Sequence, residues 1–176
     1  MIEDFKNAGI FGMIQSGKTT LARKISLWFA GRGRPSIALD PTGDNEWGRH
    51  CTKFGSGDEQ EKLFWETAWK NRGCLVIVDE AAATIRRDRD LVSVFTRLHH
   101  NDHKVLVIGH GGSDLLPVMR QQLGTVFLFR QSGDEAKTWS DNFTRPEILA
   151  SQNLSQYEFM ICTRYGTPRT YKLSPL

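Results

Sequence analysis

The sequence predicts an α/β protein, a parallel sheet with helices on both faces. Three observations predict it. Residues 12–19, Gly-Met-Ile-Gln-Ser-Gly-Lys-Thr, match the pattern G-x-x-x-x-G-K-[ST] at every fixed position. The apolar run Cys74-Leu75-Val76-Ile77-Val78 ends in two acids, Asp79 and Glu80. Such a run reads as a strand buried on both faces, as inside a parallel sheet. Strand and helix patterns then alternate at βαβ spacing five times along the chain.

The flanks of the glycine-rich stretch agree with the motif. Ala8-Gly9-Ile10-Phe11 before it is short and apolar, a first strand. After it, Leu21, Ile25, Trp28 and Phe29 recur at i, i+4, i+7 and i+8, one face of a helix that Gly31 or Gly33 would stop. A strand–loop–helix of this kind makes a concave nest of backbone N–H donors. Gly12 and Gly17 allow the tight turn and close approach that a nest needs. The expected ligand is the tail of a nucleoside triphosphate with Mg²⁺; the motif leaves ATP and GTP both open. Gly12, Gln15, Ser16, Gly17, Lys18, Thr19 and Thr20 form the expected binding set. Lys18 would reach the β- and γ-phosphates, and the Thr19 hydroxyl would sit on Mg²⁺.

Pro35 to Asp40 reads as the second strand, ending in the turn-rich Asp40-Pro41-Thr42-Gly43-Asp44. Asp40 lies where ligands bind in open α/β sheets, but an aspartate before proline also starts turns, and residue chemistry favours the turn. Residues 50–57 read as irregular. A helix capped by Asp58 and running to Arg72 would bury Leu63, Phe64, Ala68 and Trp69. At the end of the third strand, Asp79 would hold the Mg²⁺ shell. Glu80 is positioned to activate a water for attack on the γ-phosphate. Arg86, Arg87 and Arg89, among Asp88 and Asp90, make either a solvated loop or one facing a nucleic-acid backbone or a neighbouring subunit. Leu91, Val94, Phe95 and Leu98 mark a helix face. His99, His100 and His103 near its end lack a cysteine or carboxylate to complete a tetrahedral metal set.

Lys104 to Gly109 is the fourth strand, with His110 at its tip. Asp114 to Leu123 reads as a helix with Pro117 in its first turn. Thr125 to Phe129 is the fifth strand, followed by a helix over Glu135–Phe143. Thr144-Arg145-Pro146-Glu147 has the order of a cap with proline just inside the next short helix. The chain closes in a hairpin, Tyr157–Arg164 and Arg169–Leu173, turned at residues 165–168. All 176 residues read as one domain, with a core at about 8–131 and C-terminal helices and hairpin at 132–176.

Bulk properties exclude some classes. A formal net charge of +3 permits a nucleic-acid partner without arguing for one. No apolar run approaches membrane-spanning length, and Met1-Ile2-Glu3-Asp4 does not begin a signal peptide. The three cysteines, Cys51, Cys74 and Cys162, are far apart and odd in number, which fits reduced thiols.

One strand between the phosphate-loop strand and the Asp79–Glu80 strand, then another tipped by a polar residue, is the pattern of RecA-like (ASCE) P-loop NTPases. The expected strand order is 5-1-4-3-2. The fourth strand then lies between the first and third, and His110 falls beside the γ-phosphate as a candidate sensor. Asp40-Pro41-Thr42-Gly43-Asp44 resembles the "D-P-x-G-E" junction of HerA/FtsK-type ATPases. Leu75–Glu80 resembles their Walker B strand. Arg97-Leu98-His99-His100-Asn101-Asp102, Val105–His110, Leu116-Pro117-Val118-Met119-Arg120 and Val126–Phe129 resemble their closing block. The short chain is most similar to the genome-packaging ATPases of membrane-containing double-jelly-roll viruses and phages. The assembly ATPases of filamentous phages are similar too.

The resemblance implies an ATP-hydrolysing translocase of double-stranded DNA. It implies a homo-oligomeric ring, a hexamer, that works at a procapsid or portal vertex, in the host cytoplasm or on the virion. A neighbouring subunit would supply an arginine finger. Arg120 is the first candidate, on the family's arginine-bearing helix, with Arg97 and Arg145 behind it. The family has glutamine where this chain has His110; imidazole can donate a hydrogen bond as glutamine can. Two other readings are an ATPase for virion extrusion or secretion and a small-molecule kinase. Against the kinase, Glu80 follows Asp79 directly and no arginine-rich lid joins strands four and five. No guanine-reading N-K-x-D motif is present.

Overall fold

The computed structural model describes residue 5 and residues 7–43, 47–84 and 97–174. In chain order the regular elements are β1 (Asn7–Phe11), α1 (Lys18–Ala30), β2 (Ser36–Leu39), β3 (Cys51–Phe54), α2 (Asp58–Lys70), β4 (Leu75–Val78) and α3 (Ala81–Thr84). Then come β5 (Lys104–Gly109), α4 (Pro117–Gln122), β6 (Thr125–Leu128), α5 (Gly133–Phe143), β7 (Glu158–Thr163) and β8 (Arg169–Lys172). The strands form one sheet in the order β3-β2-β4-β5-β1-β6-β7-β8. The five predicted strands are β1, β2, β4, β5 and β6, and they stand in the predicted 5-1-4-3-2 order. All pairings from β3 to β6 are parallel, and β7 and β8 add antiparallel.

The apolar runs explain the sheet. β1, β2 and β4 are buried at every residue, because each has a strand on both sides and helices above and below. Alternate residues of β4 enter opposite cores. Leu75 and Ile77 meet Leu21, Ile25 and Phe29 of α1 on one face. Val76 and Val78 belong to the core on the other, with Phe64 and Ala68 of α2, Met119 of α4 and Trp139 of α5. Phe11 packs on Trp139 with ring centroids 4.6 Å apart. Helices therefore cover both faces. Among the described residues no helix is long and apolar enough to cross a membrane.

Four local expectations change. Residues 51–54, expected to be irregular, form β3, which pairs in parallel with β2 from Ser36↔Cys51 to Leu39↔Phe54. Cys-Thr-Lys-Phe carries little strand signal alone; the exposed edge of β2 makes it a strand. On α2, Phe64 and Ala68 are buried, whereas Leu63 and Trp69 are about two-fifths exposed. The helix lies on the sheet margin, so only a narrow i, i+4 stripe meets the core. Gly57 (φ 102°) takes the cap position of α2, and Asp58 becomes its first residue, beside the positive helix end. Thr144 (φ 54°) ends α5, and Arg145 precedes Pro146, the first residue of a 3₁₀ segment, Pro146–Asn153. The expected basic loop at Arg86, Arg87 and Arg89, with Leu91, Val94 and Phe95, lies outside the described residues.

Candidate active site

Parallel strands put all their carboxyl ends on one rim. β1 neighbours β5, and β5 neighbours β4, so the segments after Phe11, Val78 and Gly109 leave the sheet side by side. These segments carry the phosphate-loop motif, Asp79–Glu80 and His110.

The loop from Gly12 to Gly17 is tightly held. Met13 N–H donates to the Arg130 carbonyl (3.3 Å), and Ser16 N–H to the Met13 carbonyl (3.4 Å). A Cβ on Gly12 would stand 2.5 Å from Cβ of Phe129, so only glycine fits beside β6. Gly17 has φ 105°, and a Cβ there would meet Leu173 at 2.8 Å. Gln15 is also left-handed, with φ 60°. The hydroxyl of buried Ser16 has no partner among the described residues. Lys18 Nζ donates to the carbonyls of Gly12 and Met13, each at 2.9 Å. Burial lowers the pKa of Lys18, and the charges of Glu80, Asp79 and Asp114 act in the opposite direction. Lys18 thus lies within electrostatic reach of both acids at the end of β4. A cavity of about 400 Å³ opens beside the loop, lined by Gln15, Ser16, Gly17, Lys18, Thr19, Thr20, Arg23, Gln156 and Tyr157.

Asp79 is buried, and burial pushes its carboxyl up to about 6. The Glu80 N–H, which donates to Asp79 Oδ1 at 2.9 Å, opposes that shift; the charges of Asp40 and Glu80 add to it. Glu80 itself is left-handed (φ 50°), and its carbonyl accepts from Ala83 N–H (2.8 Å) and Thr84 N–H (3.1 Å), which starts α3. Its carboxylate lies 3.7 Å from His110 Nε2. The backbone N–H of His110 donates to Asp114 Oδ2 at 2.6 Å, and that of Gly111 to the same oxygen at 3.1 Å. Ser113 N–H and hydroxyl both donate to the Glu135 carboxylate, the N–H at 3.2 Å. The tip of β5 is therefore fixed by two carboxylates, one of them on α5.

Asp40 behaves as the turn former. Its Oδ1 accepts from Thr42 N–H (3.2 Å), Thr42 hydroxyl (2.7 Å) and Gly43 N–H (3.1 Å), and its Oδ2 from Trp47 Nε1 (2.9 Å). Arg120 is tied to its own chain: Nη1 donates to the carbonyls of Gly112 (2.7 Å) and Leu115 (2.8 Å). Arg97 is exposed at the start of the Leu98–Asn101 turn, and Arg145 is half-buried. His103 is a satisfied core histidine. Its Nδ1 accepts from Cys74 N–H (3.1 Å) and its Nε2 lies 2.9 Å from the Ala68 carbonyl, so the bonds select the Nε2–H tautomer.

Among the described residues no three His, Cys, Asp or Glu side chains converge on a metal position. The described residues therefore build no protein-only metal cage. The Thr19 hydroxyl and the Asp79 carboxylate are hard oxygen donors, the kind that Mg²⁺ takes alongside phosphates and water. A buried carboxyl raised to about 6 fits a group that a cation would draw into the charged state.

Sequence reading missed Arg23, Gln156, Tyr157, Asp114 and Glu135. Arg23 had a signal, since it lies four residues after Thr19 on the same helix face. Asp114 had a weaker one, an acid shortly after a glycine-rich strand end. Gln156 and Tyr157 arrive from the far end of the chain, and no local pattern marks them.

A phosphate-loop motif, two acids on the same rim and the β6-β1-β5-β4-β2 order together make a RecA-like P-loop fold. No protein-family model matches the sequence, and no curated protein matches it either. Solved structures do. The genome packaging NTPase B204 of Sulfolobus turreted icosahedral virus 2, in complex with sulfate, superimposes with TM-score 0.81 at 18% identity, covering 98% of each chain. In complex with AMPPCP it gives 0.80 at 17%, covering 96% of this chain and 97% of that one. The pCW3 conjugation coupling protein TcpA gives 0.69 at 15%, over 95% of this chain and 59% of that one. The cytoplasmic domain of the Thermomonospora curvata type VII secretion ATPase EccC gives 0.71 at 13%, over 96% and 23%. At these identities the likeness is one of fold.

Proposed function

We propose that this chain is an ATP-hydrolysing motor that translocates double-stranded DNA, as a genome-packaging ATPase does. The observation that carries the reading is the meeting, on one rim, of the Lys18 loop with Asp79, Glu80 and His110. The fold shared with B204 over nearly the whole of both chains supports the packaging context.

In this reading the N–H groups of residues 12–19 and the start of α1 hold the triphosphate. Lys18 exchanges its two loop carbonyls for phosphate oxygens. Thr19 and Asp79 would hold Mg²⁺, which would supply charge neutralisation on the phosphates. Glu80 takes a proton from the attacking water, and His110 orients Glu80 and senses the γ-phosphate. Arg120 is the candidate finger for a neighbour's site in a hexameric ring. Its bonds to Gly112 and Leu115 must first be released, so it would report on that contact. DNA is gripped through phosphates without base readout, as a motor for any sequence requires. Packaging also implies docking at a procapsid vertex.

Phosphate release measured with and without double-stranded DNA tests this. Stimulation by DNA of unrelated sequences is expected, together with abolished turnover and retained ATP binding in Glu80→Gln. A Glu80→Gln protein with full turnover would falsify the base assignment. The secretion reading rests on the fold shared with EccC, and an ATPase indifferent to DNA would favour it.

A further inference from the structure

Resting on the nucleotide reading above, we infer that Tyr157 is the stacking platform for the nucleobase. The 400 Å³ cavity beside the phosphate loop is lined beyond the loop itself by Thr20 and Arg23 of α1 and by Gln156 and Tyr157. Asp79, Glu80 and His110 do not line it. The cavity therefore follows the loop from Gln15 to Thr20 and continues to Arg23, Gln156 and Tyr157, while the three groups of the reacting end stay outside it. A triphosphate whose terminal phosphate faces the acids directs its sugar and base into the cavity.

Tyr157 is held there against its own backbone preference. Residues 155–158 form a turn in which Glu158 N–H donates to the Ser155 carbonyl (3.0 Å) and Ser155 N–H to Glu158 Oε2 (2.9 Å). The third position of that turn has φ 64°, where glycine is the residue of choice, and Tyr157 occupies it. Its carbonyl accepts from Leu173 N–H (2.8 Å), which ties the turn to the end of β8. Its ring edge stands 3.3 Å from where a Gly17 Cβ would lie, yet the residue remains 45% exposed. An aromatic face is thus presented at the mouth of the loop by a backbone that a smaller residue would suit better. The cavity lining includes two cations and no carboxylate among the described residues, so no acid pairs with guanine's N1–H and amino group. Stacking accepts any base, and adenine and guanine nucleotides should bind alike.

The test uses calorimetric titration of the full chain with AMPPCP and with inorganic triphosphate, each with Mg²⁺. Tyr157→Gly should fold, since glycine suits φ 64°. It should bind triphosphate as the wild type does and bind AMPPCP about ten-fold or more weakly. Tyr157→Phe should bind AMPPCP within about two-fold of wild type. Tyr157→Leu, compared with Tyr157→Phe, carries the same test if the glycine variant unfolds. Equal AMPPCP affinity in Tyr157→Gly or Tyr157→Leu, with Lys18→Ala impaired, overturns the platform and leaves the nucleotide site standing. A wild type that binds neither probe overturns both. A preference between ATP and GTP of about 100-fold or more overturns recognition by stacking.

Discussion

Asp40 and Asp79 are the same residue at matching places. Each follows the last residue of a buried parallel strand, and the strands, β2 and β4, are neighbours. Both side chains are buried. Their surroundings differ. Asp40 accepts from four donors of its own loop. Among the described residues, the Asp79 carboxylate accepts one hydrogen bond, from Glu80 N–H. A carboxylate saturated by its own chain holds a turn and has no capacity for a ligand. One left with a single donor remains partly desolvated and ready for a cation. Burial and strand position do not separate the two; the number of local donors does.

The largest expected effect is on turnover. Glu80→Gln and Asp79→Ala should each lower the phosphate-release rate by about 10²–10⁴-fold, whereas Asp40→Asn should stay within about ten-fold of wild type. A catalytic loss in Asp40→Asn equal to that of Asp79→Ala breaks the comparison. The second effect is on stability and runs the other way. Asp40→Ala leaves the Trp47 indole and the loop donors unpaired and should cost about 2–4 kcal/mol in urea denaturation, while Asp79→Ala should cost less.

The third effect sharpens the contrast through pH. The folded-state pKa of Asp79 is raised from 3.8 to about 6, so the folded chain binds its proton more tightly than the unfolded chain does. This residue's contribution therefore favours the fold most below about pH 4 and weakens as pH rises toward about 6. Without nucleotide or Mg²⁺, Asp79→Asn should be more stable than wild type by about 1–3 kcal/mol at pH 8, and the gain should vanish near pH 4. A wild type more stable than Asp79→Asn at pH 8 contradicts the under-satisfied carboxylate. The smallest effect extends the comparison to buried groups with no proposed ligand. Burial pushes the Cys51 and Cys162 thiols up to about 12. Their labelling by a thiol reagent at pH 8 should be slow until the chain is unfolded.

What the sequence displayed and what it hid divide along the same line. Runs such as Val76–Val78 and Val105–Ile108 announce central strands, because their burial on both faces leaves no polar position. The loop at Gly12–Thr19 is legible because close approach to Phe129 and a left-handed turn each require glycine. β3 was not legible, since Cys51–Phe54 becomes a strand only against the open edge of β2. Leu63 and Trp69 misled because helix periodicity does not say how wide a stripe the sheet will cover. Tyr157 was invisible as a site residue: its place beside Gly17 depends on a strand order that brings residue 157 back to residue 17. The four donors to Asp40 could be guessed only in part, from the proline and glycine that follow it.

The last two strands have a practical outcome. β7 runs from the loop rim to the far rim, where Thr163 pairs with Thr125, and β8 returns. Leu173 is back against Gly17, and Ser174 accepts from Lys24 Nζ. A tag fused directly after residue 174 would emerge at the mouth of the phosphate loop and obstruct it. Tyr165, 97% exposed at the opposite turn, is the place to attach a fluorophore or a surface tether.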